Sequence, residues 1–179
     1  MSENQAALPE KSPDNSRSTL SHIMMVTDTN LFGTVHGGVI MKLVDECGGM
    51  AAARHSGGTA VTASMDEMAF LNPVHVGDLL HTHAQVNWTG STSMEVGVRV
   101  ESERWDQAGG EPSHVASAYL VFVAIDADGK PRPVPPLLLE GPEDERRNHE
   151  AGIRRTHRLA RRAAILASRE APASAPHSP

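Results

Sequence analysis

The chemistry legible in this chain centres on two residues, Asn30 and Asp45, and on the glycines between them. Asn30 lies in a polar loop that runs through Gly33, Gly37 and Gly38 into a long apolar stretch, where Asp45 is flanked by Leu43, Val44 and Cys47. Across residues 37–53 the only charged residues are Lys42, Asp45 and Glu46. The segment therefore lacks the polar stripe of a surface helix and is expected to be buried over most of its circumference. An ionised carboxylate there is costly without a partner, and the raised pKa that follows suits a general base. The alternative is structural: Asp45 pairs with Lys42 or faces solvent.

The loop-to-helix junction at 35–38 offers backbone N–H groups backed by the positive end of a helix dipole, where a carbonyl oxygen can be held. Gly37 and Gly38 keep side chains out of its way; alternatively, they only shape the loop. His36, just before them, reads as a loop-packing residue or a second base. The phosphate-loop pattern GxxxxGK[ST] is absent. Cys47 has no sequence partner marking a Cys–His pair, and a buried thiol is usually inert. His81 and His83 share a strand face, but no third ligand is in view, so no metal site is expected.

Composition bounds what surrounds these residues. At 179 residues, the chain is expected to be one domain with tails. Residues 1–18 and 171–179 are polar and rich in Pro and Ser, and are expected to be disordered. A core over 19–140 remains, followed by a charged segment over 141–170. No apolar leader or membrane-length stretch of ~20 apolar residues is present, and the single cysteine fits a reducing compartment. A cytoplasmic protein without membrane contact is expected. The net charge of −6 hides an asymmetry: residues 1–140 carry 8 Lys/Arg against 17 Asp/Glu, and residues 141–179 carry 8 arginines against 5 acidic residues. The core is thus no nucleic-acid binder. The arginine-rich segment reads as a peripheral helix docked on the domain or on a neighbouring subunit through Ile153, Leu159, Ala160, Ala163, Ala164 and Leu166, with a phosphate- or RNA-contacting arm as the alternative.

The middle of the chain reads as antiparallel β-structure. Met94, Val96, Val98 and Val100 alternate with polar residues, a period-2 strand with one wet face. Residues 79–88 and 92–105 form a long hairpin around a turn at 90–93. Further strands are expected over 115–125 and 59–70, the latter ended by Asn72-Pro73, with a weaker one over 20–26. One central helix, made of small residues from Gly48 to Ala53, against about five antiparallel strands is an α+β architecture.

The stretches DTNLFGTVHGGVIMKLVDECG (28–48), VTASMDEMAFLNPVHVGDLL (61–80), GSTSMEVGVRVESE (90–103) and YLVFVAIDADGKPRPVPPL (119–137) resemble, in order, the acyl-CoA thioesterases of the hotdog fold, in the group of brain-type acyl-CoA hydrolases. The resemblance implies a curved antiparallel sheet wrapped around the central helix, with the C-terminal helix peripheral. It implies hydrolysis of a fatty acyl-CoA thioester without a cofactor, in a homo-oligomer whose minimal unit is a dimer and whose full assembly is a trimer of dimers. Asn30 of one subunit would then meet Asp45 of another, with Asp45 as base or, as the second reading, nucleophile, and Asn30 orienting the water or thioester. Gly37, Gly38 and His36 would bind the carbonyl. The turn Gly90, Ser91, Thr92 and Ser93 would hold CoA. Arg54 and His55, just after the helix, read either as contacts to the CoA phosphates or as an exposed helix end, where cations are favoured, and Ser64 and Asp66 as polar contacts beside the site. Asn72 stands where relatives often carry arginine. Two other chemistries fit the same fold: hydration or dehydration of an enoyl or hydroxyacyl thioester, and non-catalytic acyl-CoA sensing.

Overall fold

The computed structural model describes residues 8–104, 106 and 110–170. The expected tail at 171–179, and residues 1–7 of the other tail, lie outside them. Strand β1 (Ser18–Ile23) leads through a loop to helix α1 (Gly37–Ser56), followed by β2 (Ala60–Phe70), β3 (Asp78–Thr89), β4 (Ser93–Arg104), β5 (Ser113–Ala124) and helix α2 (Pro142–Glu170). The five strands form one antiparallel sheet in the order β1-β3-β4-β5-β2. Helix α1 lies on one face and α2 on the other, as the α+β reading requires. No helix among the described residues is long and apolar enough to cross a membrane.

The core forms where α1 meets the sheet. Ile40, Val44, Cys47, Gly48, Ala51, Ala52 and His55 are buried, a spacing of three and four that keeps them on one helix face. A Cβ at Gly48 would sit 3.1 Å from the Phe122 ring, so glycine is what allows the helix this close to β5. At the far end Gly57 has φ +72°, the left-handed conformation that closes a helix.

Two sequence expectations need correction. Residues 11–18 are packed rather than disordered. Lys11 pairs with the backbone of Pro136 and Leu138, and Ser16 is buried, donating to Pro13 O and accepting from Val86 N–H. Two side-chain and backbone anchors thus compensate for the segment's few apolar residues. Second, α2 does not dock on its own domain through the expected apolar face: Ile153, Leu159 and Leu166 are exposed. It docks through Ala151, which is fully buried, and through polar groups. Asn148 donates to Asn87 O at 3.0 Å, Arg154 pairs with Glu95 at 2.7 Å while stacking 3.6 Å above the Tyr119 ring, and Arg158 pairs with Asp66.

Candidate active site

The loop before α1 is built around Asn30. Its Oδ1 accepts from the N–H groups of Phe32 (2.8 Å) and Thr34 (3.3 Å), and its Nδ2 donates to Thr34 Oγ1 at 2.9 Å. Asn30 therefore shapes the loop, and one of its two amide hydrogens is left over. His36 caps the helix: its Nδ1 accepts the Gly38 N–H at 3.0 Å, and its carbonyl accepts from Val39 N–H at 2.9 Å. This corrects the expectation that both glycines present free N–H groups. The Gly38 donor is taken by the cap, and Gly37 N–H alone is without a partner among the described residues. A cavity of about 310 Å³ opens beside it, lined by Val35, Gly37, Ile40, Phe70, Asn72 and Val74. The Asn72 side-chain amide donates to His114 O at 2.8 Å.

Asp45 is exposed within its own chain, not buried. Gly38, Met41, Lys42, Asp45 and Glu46 are all exposed and follow the same three-and-four spacing, so the three charged residues of the segment share one stripe opposite the core face. Lys42 pairs with Glu46 at 3.7 Å. Asp45 instead accepts the Thr62 hydroxyl at 2.5 Å. Thr62 was not among the sequence candidates, and Ser64 and Asp66, which were, face away from the site.

The reason is two irregularities in β2. Its register with β5 runs Thr62↔Phe122, Ser64↔Val121, Met65↔Leu120, Glu67↔Tyr119, Met68↔Ala118, leaving Ala63 and Asp66 as extra residues. Each bulge reverses the alternation of faces. Thr62, Met65, Met68 and Phe70 consequently lie on the α1 face with buried Phe122, Leu120, Ala118 and Ala116, while Ser64 and Glu67 lie on the α2 face.

Other candidates are dispersed. His55 is fully buried, its Nε2 bonded to Pro135 O at 2.9 Å, so it cannot reach a CoA phosphate; burial pushes its pKa below the ordinary histidine value. Arg54 is exposed and donates to Arg17 O. The turn at 90–93 is tied to the C-terminal end of α1: Thr92 O accepts from Ala124 N–H, Ala124 O accepts from Arg132 N–H, and Arg132 donates to Ser56 O. With α1 about 30 Å long, this turn and Gly37 stand at opposite ends of the helix. Burial raises the pKa of the Cys47 thiol, and its Sγ contacts Ser18 O and Thr82 O at 3.4 Å, which keeps it unreactive. His81 and His83 are each bracketed by a hydroxyl, from Ser21 and Thr19, and by a glutamate, Glu103 and Glu101. Among the described residues no group of three His, Cys, Asp or Glu is placed to hold a metal ion.

The sequence profile of the Thioesterase superfamily matches residues 32–107. A protein of Bacillus subtilis (strain 168), named an uncharacterized acyl-CoA thioester hydrolase, is 39% identical over 130 residues, covering 73% of this chain and 74% of that protein. The chain belongs to the hotdog-fold thioesterase superfamily. The cytosolic acyl coenzyme A thioester hydrolase of Mus musculus is 38% identical over 137 residues, 76% of this chain and 36% of the mouse protein; the chain thus spans about a third of the length of that relative. Among solved structures, an acyl-CoA hydrolase from Staphylococcus aureus in complex with butyryl coenzyme A and coenzyme A has a TM-score of 0.82 at 34% identity, over 90% of this chain and 98% of that one. That hydrolase has also been solved as alanine variants of an asparagine, an aspartate and a threonine. They are separated by the same two intervals that separate Asn30, Asp45 and Thr62 here. An apo-hexameric acyl-CoA thioesterase has a TM-score of 0.82 at 35% identity, over 87% of this chain and 99% of that one.

Proposed function

We propose that this thioesterase-superfamily chain hydrolyses acyl-CoA thioesters to the free acid and CoA, as a homo-oligomer in which each site is completed by two chains. One observation carries the reading: Asp45, hydrogen-bonded by Thr62, sits on the bare stripe of α1, about 10 Å along the helix from the glycine end. The carboxylate and the Gly37 N–H of one chain are too far apart to serve one carbonyl. A second copy laid antiparallel on the stripe by a two-fold axis brings the Asn30 loop and Gly37 of one chain to Asp45 of the other. It also brings the 90–93 turn and Arg54 toward the partner's glycine end, where the CoA arm would leave. The hexameric relative supports an assembly of this kind.

In this arrangement Asp45 takes a proton from a water whose oxygen attacks the thioester carbonyl. The oxyanion that develops meets Gly37 N–H and the helix dipole, with the spare amide hydrogen of Asn30 positioning the water or the thioester. Collapse breaks the C–S bond, and the thiolate leaves with the proton that Asp45 had taken. Water is the only co-reactant, so no cofactor is required. The covering copy also supplies the desolvation that Asp45 lacks in its own chain. A cytoplasmic location is supported by the single cysteine, which fits a reducing compartment, and by the cytosolic mouse relative.

The deciding experiment is a panel of acyl-CoA esters of increasing chain length assayed for free thiol. Thiol release that saturates with substrate supports hydrolysis. Loss of enoyl absorbance without thiol release would instead indicate a hydratase, and tight binding without turnover a sensor.

A further inference from the structure

The cavity beside Gly37 has one wall unlike the others. Its lining side chains are apolar except that of Asn72, so of the two halves of an acyl-CoA ester it takes the hydrocarbon. A thioester carbonyl held at Gly37 N–H therefore sends its acyl chain into this cavity and its polar CoA arm the other way. Most of the boundary is fixed by the fold. Val35, Ile40 and Val74 are buried in the core, and Val35 N–H donates to Val74 O at 2.8 Å. Leu71 N–H is tied to Val115 O at 2.8 Å, and the Asn72 amide to His114 O.

Phe70 is the exception. Its side chain is 49% exposed within its own chain, and its ring lies over the first turn of α1. A Cβ at Gly37 would meet the ring at 3.4 Å, so the ring stands against the residue whose N–H receives the carbonyl. Along the α1 face of β2, Phe70 is followed inward by Met68 and Met65, both packed against the core. Unbranched thioether side chains adapt to irregular shapes, so a hydrocarbon that passed the ring would meet a lining able to accommodate it.

We propose, on the hydrolase reading above, that Phe70 is the specificity-determining residue for acyl-chain length: its ring ends the cavity, and the preferred substrate carries an aliphatic chain that stops at the ring. Unlike Val35, Ile40 and Val74, Phe70 changes size without emptying the core of its own chain. Phe70→Ala joins the cavity to the Met68 and Met65 row, and Phe70→Trp shortens it.

The test assays a ladder of straight-chain acyl-CoA esters for thiol release by the full-length wild type, Phe70→Ala and Phe70→Trp, with Phe70→Leu replacing Phe70→Ala should that variant fail to fold. In the wild type kcat/KM should rise by about fourfold per methylene up to the length that meets the ring, and then fall. Phe70→Ala should move that break to longer chains, so that the first ester beyond the wild-type limit gains about tenfold relative to the wild-type optimum. Phe70→Trp should move the break to shorter chains. A ring that only supports the fold would change every ester by one factor and leave the break in place. That result, or a break that moves the same way in both variants, overturns the proposal. Should the wild type release no thiol from any ester, the hydrolase reading fails, and chain-length selection is decided by equilibrium affinities for the same esters. Affinity must then break at a longer chain in Phe70→Ala and a shorter one in Phe70→Trp, and a common break overturns the proposal.

Discussion

Thr62 donates its hydroxyl to Asp45 across 2.5 Å, joining the edge strand to the exposed stripe of the central helix. The hydrogen bond engages one carboxylate oxygen, Oδ1, and leaves the other without a hydrogen bond among the described residues. It also explains why a threonine stands at a strand position whose inward-facing neighbours are Met65, Met68 and Phe70.

Thr62→Val keeps the shape and removes the donor. A hydrogen bond to a charged group contributes about 1.5–3 kcal/mol, so kcat should fall by about 10- to 100-fold if that energy is lost in the transition state. Thr62→Ser, which retains the hydroxyl, should recover most of it. Steady-state thiol release for the two variants checks the pair.

In the proposed mechanism, Asp45→Asn removes the base while preserving size. General-base catalysis is worth about 10²- to 10⁴-fold, and kcat should drop within that range. Because Asn keeps the size of Asp45 and an acceptor for the Thr62 hydroxyl, and carries no charge to desolvate against a second copy, the unfolding midpoint of the variant should not fall below wild type, as measured by thermal denaturation at matched protein concentration.

How much of this was legible in the sequence depended on periodicity. The alternation of Met94, Val96, Val98 and Val100 located β4, and the small residues from Gly48 to Ala53 located a helix that packs closely on a sheet. Asp45 itself was legible as a lone carboxylate in an apolar run, but its burial was not. Three charges in a largely apolar stretch looked like interruptions of a buried helix, whereas their spacing puts all three on the face left bare in a single chain. Ser64 and Asp66 were set beside the site for a different reason. A regular strand would place both on the side of Thr62, and nothing in the residue types announces the bulges at Ala63 and Asp66. His55 looked like an exposed helix end because the chain returning at Pro135 to cover it is far away in sequence.

Gly48 fixes how closely α1 approaches the sheet. A Cβ there would stand 3.1 Å from the Phe122 ring, and a branched side chain has no room. Gly48→Val should cost about 1–3 kcal/mol, the usual cost of overpacking a filled core. Urea denaturation, read as a lowered midpoint with unchanged slope, measures it.

His55 makes stability pH-dependent. Its pKa is lowered chiefly by burial, so the unfolded chain takes up a proton near pH 6.5 that the folded chain refuses. The stability associated with neutral His55 is fully present above that pH and declines as the pH falls toward the folded pKa. His55→Gln, which keeps a donor for Pro135 O, should show a flatter decline in melting temperature between about pH 7 and pH 5.

The shared site is tested most directly by mixing two inactive proteins. Asn30→Ala and Asp45→Ala chains are unfolded together, refolded as hybrids and assayed for thiol release. In a two-fold dimer each hybrid holds one site with both residues intact and one with neither, so random pairing should restore about a quarter of wild-type activity. Activity no higher than the average of the two parent variants, in a mixture shown to contain hybrids, would mean that Asn30 and Asp45 act within one chain.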